Sequence, residues 1–242
     1  VDCFNMAREI GFDNINMDLI LGLVDEDLEM VINTLEEIKK LNPESLTVHT
    51  LAVKRASKLK EDIENYELTR YEELIKMIDL SMEYAKEMGL NPYYMYRKKH
   101  MLGNLENIGY AKEGYECKHN IVYWKCDNSL GLGPGASGYI NNYRYSNICD
   151  IKESNKCLEY NTKPIEEKNV LSKKDEMEEF IFMGLRMNEG INLDEFYEKF
   201  NVNFKHKYNN ILDKLKNLNL IIEQNNNIAL TQRGRELSNT VF

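Results

Sequence analysis

Residues 119–124 read His-Asn-Ile-Val-Tyr-Trp, and they hold one of the four histidines and the single tryptophan of a 242-residue chain. A neutral imidazole at His119 can ligate a metal, and aromatic faces at Tyr123 and Trp124, with Asn120 beside them, can pack a flat ring such as a porphyrin. The alternative is a core histidine bonded to backbone, with the aromatics as packing; on residue type alone that is the commoner role. Seven residues on comes Gly131-Leu132-Gly133-Pro134-Gly135-Ala136. It lacks the Lys-Ser/Thr of a phosphate loop and reads as a tight strand-to-loop bend. Cys117, two residues from His119, could ligate a metal or act as a nucleophile, but nothing in the sequence shows an activated thiol, and it reads as inert. Asp18 sits in the apolar run Ile15 to Leu23, where an unpaired carboxylate is costly. Two readings stay open for it: a ligand-binding acid at a strand end, or an acid paired with a base or with backbone amides.

The elements that must position these groups follow from periodicity. Residues 2–10 read as a helix stopped by Gly11, and 15–23 as a buried strand. Residues 25–41 show helical spacing, with acids in the first turn, Lys39 and Lys40 in the last, and Asn42-Pro43 as the stop. Residues 45–53 form the next strand, 67–88 a long amphipathic helix closed by Gly89, and Tyr93 to Tyr96 a further strand. Strand and helix in alternation predict an α/β unit with a parallel sheet or (β/α) barrel. In such barrels ligands sit where strands end, which points to Asp18–Gly22, His49–Val53 and Tyr96–Lys99. Residues 100–150 are rich in Gly, Asn and Tyr and read as irregular, a pattern that in a compact domain usually serves function. The domain expectation is 1–150, a polar linker over 151–172, and a small unit over 173–242. That unit shows helices at 173–187, 193–200 and 205–218, then strands at 220–223 and 228–231 around Gln224 to Asn227. This is a winged-helix order, with Lys205, His206, Lys207, Lys214 and Lys216 making its third helix basic. In a DNA binder that helix would read a groove; otherwise it is a solvated face.

Composition narrows the classes. The chain is 43% hydrophobic and 29% charged, with a net charge of −9. That suits a cytoplasmic protein with a real core and argues against a broad nucleic-acid surface. No apolar run is long enough to span a bilayer, and the first residues carry no signal-peptide core. The absence of an initiator Met suggests a fragment. The five cysteines, at 3, 117, 126, 149 and 157, are odd in number and irregularly spaced, so neither a disulfide framework nor a self-contained metal cluster is expected.

Together these segments resemble the oxygen-independent coproporphyrinogen III oxidase family of radical SAM proteins. The likeness rests on Gly11-Phe12 with Ile15 to Leu23, Leu41-Asn42-Pro43, Leu46-Thr47-Val48-His49, and Gly109 to Cys117 with His119 to Trp124. It continues in Gly131 to Ala136 and Leu230-Thr231-Gln232-Arg233-Gly234. The resemblance implies the later part of a partial (β/α) radical SAM barrel and a winged-helix-like α+β domain covering the site. It places S-adenosylmethionine (SAM) against Asp18 and beside Ala52. It implies oxidative decarboxylation of porphyrinogen propionates, with an electron donor as partner, and Arg97, beside Lys98 and Lys99, is our expected fork for a propionate. Two departures stand out. The Cys-x-x-x-Cys-x-x-Cys that holds the family's [4Fe–4S] cluster is absent, so the chain as given is expected to be inactive alone. The usual Gly-Leu-Pro is Gly22-Leu23-Val24. The motif at 119–124 resembles the heme-chaperone branch, which implies heme held by His119, Asn120, Tyr123 and Trp124. Residues 45–51, 54–57 and 92–97, with 104–107, instead resemble the coproporphyrinogen dehydrogenase branch.

Overall fold

A computed structural model describes residues 1–52, 69–100 and 103–241, with the backbone alone at 96–100, 103–106, 236, 239 and 240. The chain divides into two compact units, Val1–Cys117 and Lys118–Phe242.

The first unit runs α1 (Asp2–Ile10), β1 (Asn16–Leu21), α2 (Leu28–Leu41), β2 (Ser45–Thr50), α3 (Tyr71–Glu87), β3 (Asn91–His100) and β4 (Gly103–Ala111). Local chemistry sets the helix ends. The Asp27 carboxylate caps α2 by accepting the Met30 N–H at 2.8 Å, and Asn42 ends it in the left-handed region. The sheet order is β1-β2-β4-β3. β1 and β2 are parallel, and β4 lies antiparallel between β2 and β3. The three expected strands therefore do run in one direction. The stretch from 100 onward, expected to be irregular, begins instead with β4. Its core side is carried by Ile108 and Tyr110, while Asn107 and Gly109 between them disguise the alternation.

β1 also differs from expectation. It is buried on one face only: Leu19 and Leu21 enter the core, whereas Asn16, Asp18 and Ile20 are exposed. The reason is position, since β1 is an edge strand of the described sheet. β2 stops at Thr50, and α3 begins after Arg70. Val53, Glu67 and Leu68, and the motif Lys54-Arg55-Ala56-Ser57, lie outside the described residues. One face of the sheet is closed by α2 and α3 through Leu21, Leu35, Leu46, Met77 and Leu90. At the sheet's other end, buried Glu44 receives Arg8 at 2.6 and 2.7 Å, the Ile15 N–H at 3.1 Å and Lys112 at 3.5 Å. One carboxylate thus ties α1, the start of β1 and the end of β4 to β2.

The second unit holds α4 (Lys118–Trp124), β5 (Ser137–Ile140), β6 (Tyr143–Asn147), α5 (Ile151–Glu159), β7 (Ile165–Val170) and α6 (Lys173–Gly184). It continues with β8 (Ile191–Asn192), α7 (Leu193–Phe200), α8 (Phe204–Asn217), β9 (Ile221–Gln224), β10 (Asn227–Leu230), α9 (Gln232–Glu236) and α10 (Ser238–Val241). The residues expected to form a linker, 151–172, instead form α5 and β7, and β7 pairs with β6. Five of the six residues of β7 are exposed, so it carries edge-strand polarity and reads as linker in sequence. The boundary expected near 150 falls after Cys117.

Three helices followed by a hairpin are present in the tail, with short β8 added to give a sheet β8-β10-β9. Phe180, Phe196, Phe200 and Phe204 pack edge to face at its centre. The hairpin is tighter than the four-residue turn expected. Asn225 and Asn226 alone turn the chain, both at positive φ (49° and 61°), as a two-residue primed turn requires.

Candidate functional site

In the first unit the sheet face away from α2 and α3 is polar. Strand alternation puts Asn16, Asp18 and Ile20 of β1 there, with Ser45, Thr47 and His49 of β2 and Asn107 and Gly109 of β4. Asp18 pairs with Thr47 across the ladder, and Ile20 with His49. The side chains form chains of hydrogen bonds. Thr47 Oγ1 donates to Asn16 Oδ1 at 3.2 Å, and Asn16 Nδ2 donates to Asp18 Oδ1 at 2.8 Å. His49 Nδ1 lies 2.8 Å from Asn107 Oδ1. Thr47 and Asn107 are buried, His49 is half-buried, and Asp18 is exposed. The carboxylate of Asp18 is therefore oriented by a neighbour yet open to a ligand.

Asp18 lies in the middle of β1 rather than at its end, and Ala52 follows just beyond β2, where Leu51 N–H extends the ladder to Leu21 O at 2.8 Å. The turn after β1, Gly22-Leu23-Val24, is closed by Glu26. Its Oε2 accepts the N–H of Gly22 at 2.7 Å and of Leu23 at 3.1 Å. The backbone of Arg97 pairs with Glu106 in the β3–β4 ladder; its side chain, like those of Lys98 and Lys99, lies outside the described residues. Sequence reasoning passed over Asn16, Thr47 and Asn107. Only contacts between strands reveal them.

In the second unit α4 presents His119 and Tyr123 one turn apart, both exposed, with ring centroids 4.8 Å apart and planes at 87°. Asn120 is half-buried. Trp124 is half-buried as well, and the Arg186 guanidinium sits 5.6 Å from its ring centroid. The motif thus splits: His119 and Tyr123 share an exposed face, and Trp124 packs against its own unit. The glycine bend behaves as a structural turn. Gly131 N–H donates to the Tyr145 hydroxyl at 3.0 Å, and Asn147 Nδ2 donates to the carbonyls of Gly131 at 3.3 Å and Gly133 at 2.9 Å. Gly135 N–H donates to Ile148 O at 3.1 Å. These amides are spent on the chain itself rather than on an anion.

Among the cavities of this unit, two adjoin its apolar core. One, about 340 Å³, is lined by Tyr123, Cys126, Tyr139, Arg144 and Glu179. Burial pushes the Cys126 thiol up to about 11, so at neutral pH it is an inert thiol. The other, about 700 Å³, lies in the tail among Phe182, Leu185, Phe204, Tyr208 and Ile211. His119 lines neither. On the basic helix α8, Lys205 and Lys216 both bind Glu223 of β9, which withdraws two cations from any groove-reading role. Among the described residues, no three His, Cys, Asp or Glu side chains gather as a metal site, and no helix is long and apolar enough to cross a membrane.

Comparison with known proteins turns on the whole length. Residues 171–237 match the HemN C-terminal domain. The chain is 42% identical over 138 residues to the oxygen-independent coproporphyrinogen-III oxidase-like protein HemZ of Bacillus subtilis, covering 57% of this chain and 28% of that one. It is 30% identical over all 242 residues to the heme chaperone HemW of Lactococcus lactis, covering 60% of that protein. The chain carries a HemN C-terminal domain and has homologues named HemZ, HemW and coproporphyrinogen III oxidase. The structure of coproporphyrinogen III oxidase (HemN) from Escherichia coli, titled a radical SAM enzyme, shares the mixed α/β fold over 99% of this chain and 56% of its own, with a TM-score of 0.71 at 18% identity. The chain spans about 60% of the HemW relative's length.

Proposed function

We propose that this chain is part of a HemN-family protein that binds SAM and a porphyrinogen on the polar face of a partial (β/α) barrel and oxidatively decarboxylates the propionates. In this reading the second unit ends in a winged-helix-like domain. The observation that carries the reading is Asp18, an exposed carboxylate oriented by Asn16 on an otherwise hydrogen-bonded sheet face. The fit to SAM is chemical. A carboxylate open to solvent accepts hydrogen bonds from a ligand's hydroxyls or ammonium. Ala52, small and half-buried beyond β2, leaves room for an adenosine. The cluster does not fit this chain, because the 242 residues contain no Cys-x-x-x-Cys-x-x-Cys; no step is derived through it. Where both are bound, SAM supplies the chemistry that removes a hydrogen atom from the substrate. The chain's own residues bind and orient: Asp18 holds the nucleoside side, Asn16, itself held by Thr47, orients Asp18 through its Nδ2, and Arg97 is the expected fork for a propionate. The test is SAM binding and coproporphyrinogen III turnover by the full-length, cluster-reconstituted gene product. Asp18→Asn should weaken SAM binding by about tenfold, the loss of one charge-assisted hydrogen bond. Unchanged affinity would remove Asp18 from the site.

A second reading has its own observation. His119 and Tyr123 share an exposed helix face, an arrangement that suits a heme held at the surface for transfer. In a heme titration His119→Ala should abolish the Soret shift of the wild type; a shift that survives removes the axial-ligand role.

A further inference from the structure

The His49–Asn107 pair has no part in the reading above, yet it lies on the same sheet face as Asp18. We propose that His49 is a ligand-contacting residue whose Nε2 accepts a hydrogen bond from an N–H or O–H group of the molecule bound on that face. The inference rests on the proposed function for the identity of that molecule.

The geometry assigns the ring its tautomer. Asn107 Oδ1 stands 2.8 Å from His49 Nδ1, and an amide oxygen can only accept, so Nδ1 carries the proton. In the neutral ring this leaves Nε2 as a lone-pair acceptor. Asn107 is buried and fixed in β4, whereas His49 is half-buried, so the pair has an anchored end and an accessible end. A histidine held from behind at one nitrogen presents the other in a fixed direction, the preorganisation a binding group needs.

Register fixes its place. His49 is two pairs along the ladder from the Asp18–Thr47 pair, opposite Ile20 and next on the same face, about 6.6 Å toward the strands' C-terminal ends. Ile20 is exposed on the same face. A ligand touching Asp18 and extending along the strands would pass over the apolar Ile20 and meet Nε2. Two donors fit that chemistry: a nucleoside hydroxyl of SAM, and a pyrrole N–H of the porphyrinogen.

Two substitutions separate ligand contact from internal support. The amide of Asn overlays imidazole Nδ1, and the amide of Gln overlays Nε2. If His49 contacts ligand, His49→Gln keeps near-native binding while His49→Asn, which preserves the Asn107 partner, weakens it by about tenfold. If His49 only supports Asn107, the order reverses. The experiment measures SAM binding and coproporphyrinogen III binding separately on the full-length, cluster-loaded protein and both variants, alongside Tm. A loss confined to SAM assigns the donor to the nucleoside, and a loss confined to the tetrapyrrole assigns it to a pyrrole. Wild-type binding with His49→Asn unaffected, or with His49→Gln the weaker variant, overturns the inference alone. A wild-type protein that binds neither molecule overturns the proposed function and this inference with it.

Discussion

The two units use the same two devices and bury them differently. In the first, Tyr94 of β3 lies over its cross-strand partner Gly109; in the second, Tyr145 of β6 lies over Gly138 of β5. A glycine opposite an aromatic residue lets the ring lie flat on the neighbouring strand. Each unit also has one carboxylate shared by two cations: Glu44 by Arg8 and Lys112, and Glu223 by Lys205 and Lys216. Tyr94 and Glu44 are buried, while Tyr145 and Glu223 reach solvent. Burial removes the escape routes of water and rotamer change, so equal chemistry should carry unequal energy. The buried versions belong to the unit whose sheet carries Asp18 and His49.

The sharpest break of that comparison is at the glycines. A Cβ on Gly109 would fall inside the Tyr94 ring, which is enclosed and cannot swing away. Gly109→Ala should cost about 3 kcal/mol, the upper range for overpacking. A Cβ on Gly138 would meet the hydroxyl end of Tyr145, a half-buried ring that can tilt outward at the loss of its bond to Gly131. Gly138→Ala should cost about 1 kcal/mol. Urea unfolding checks both. The single tryptophan, Trp124, reports the second unit by fluorescence, and circular dichroism reports both. Tyr94→Leu should recover most of the Gly109→Ala loss in the double variant, because the two residues share one contact. Equal costs at the two glycines would remove burial as the distinguishing factor.

The same glycine explains what the sequence concealed. Periodicity locates α1, α2 and α3 because each has one apolar stripe facing one core. β4 escapes because its open face is Asn107 and Gly109, residues that ordinarily signal loops; glycine is there for the Tyr94 ring and asparagine for His49. β7 escapes because an edge strand with polar residues on both faces has no alternation to detect. Asp18 and Ala52 are singled out by the rule that ligands sit near strand ends, yet Asp18 lies in the middle of β1. The partner of His49 is not, since it lies 58 residues away and the pairing exists only in the ladder. The motif at 119–124 is legible as a segment, but helix geometry divides it, sending Trp124 toward Arg186 and His119 with Tyr123 to the exposed face.

The carboxylates give the next and then the smallest effect. Burial alone would raise the Glu44 carboxyl, but the Arg8 bond, the Ile15 N–H and the charges of Arg8 and Lys112 outweigh it and hold it below the usual range. A lowered folded value means stability that is present above the unfolded value, about 4.3, and is lost as pH falls through the folded one. Glu44→Gln should therefore cost about 2 kcal/mol at pH 7, the worth of a charge-assisted bond, and the gap to wild type should close on acidification below about pH 4. Glu223 is also lowered, by its bonds from Lys205 and then Lys216, so its sign and window are the same. Its lysines stand in solvent, however, and water and salt screen what they contribute. Glu223→Gln should cost no more than about 0.5 kcal/mol, and that cost should vanish in about 1 M salt, while the Glu44→Gln cost persists. Salt is the deciding variable, because it acts on exposed charge and scarcely on buried charge. If salt erased both costs, Glu44 would behave as a surface pair and the first unit would lose its claim to the more rigid frame.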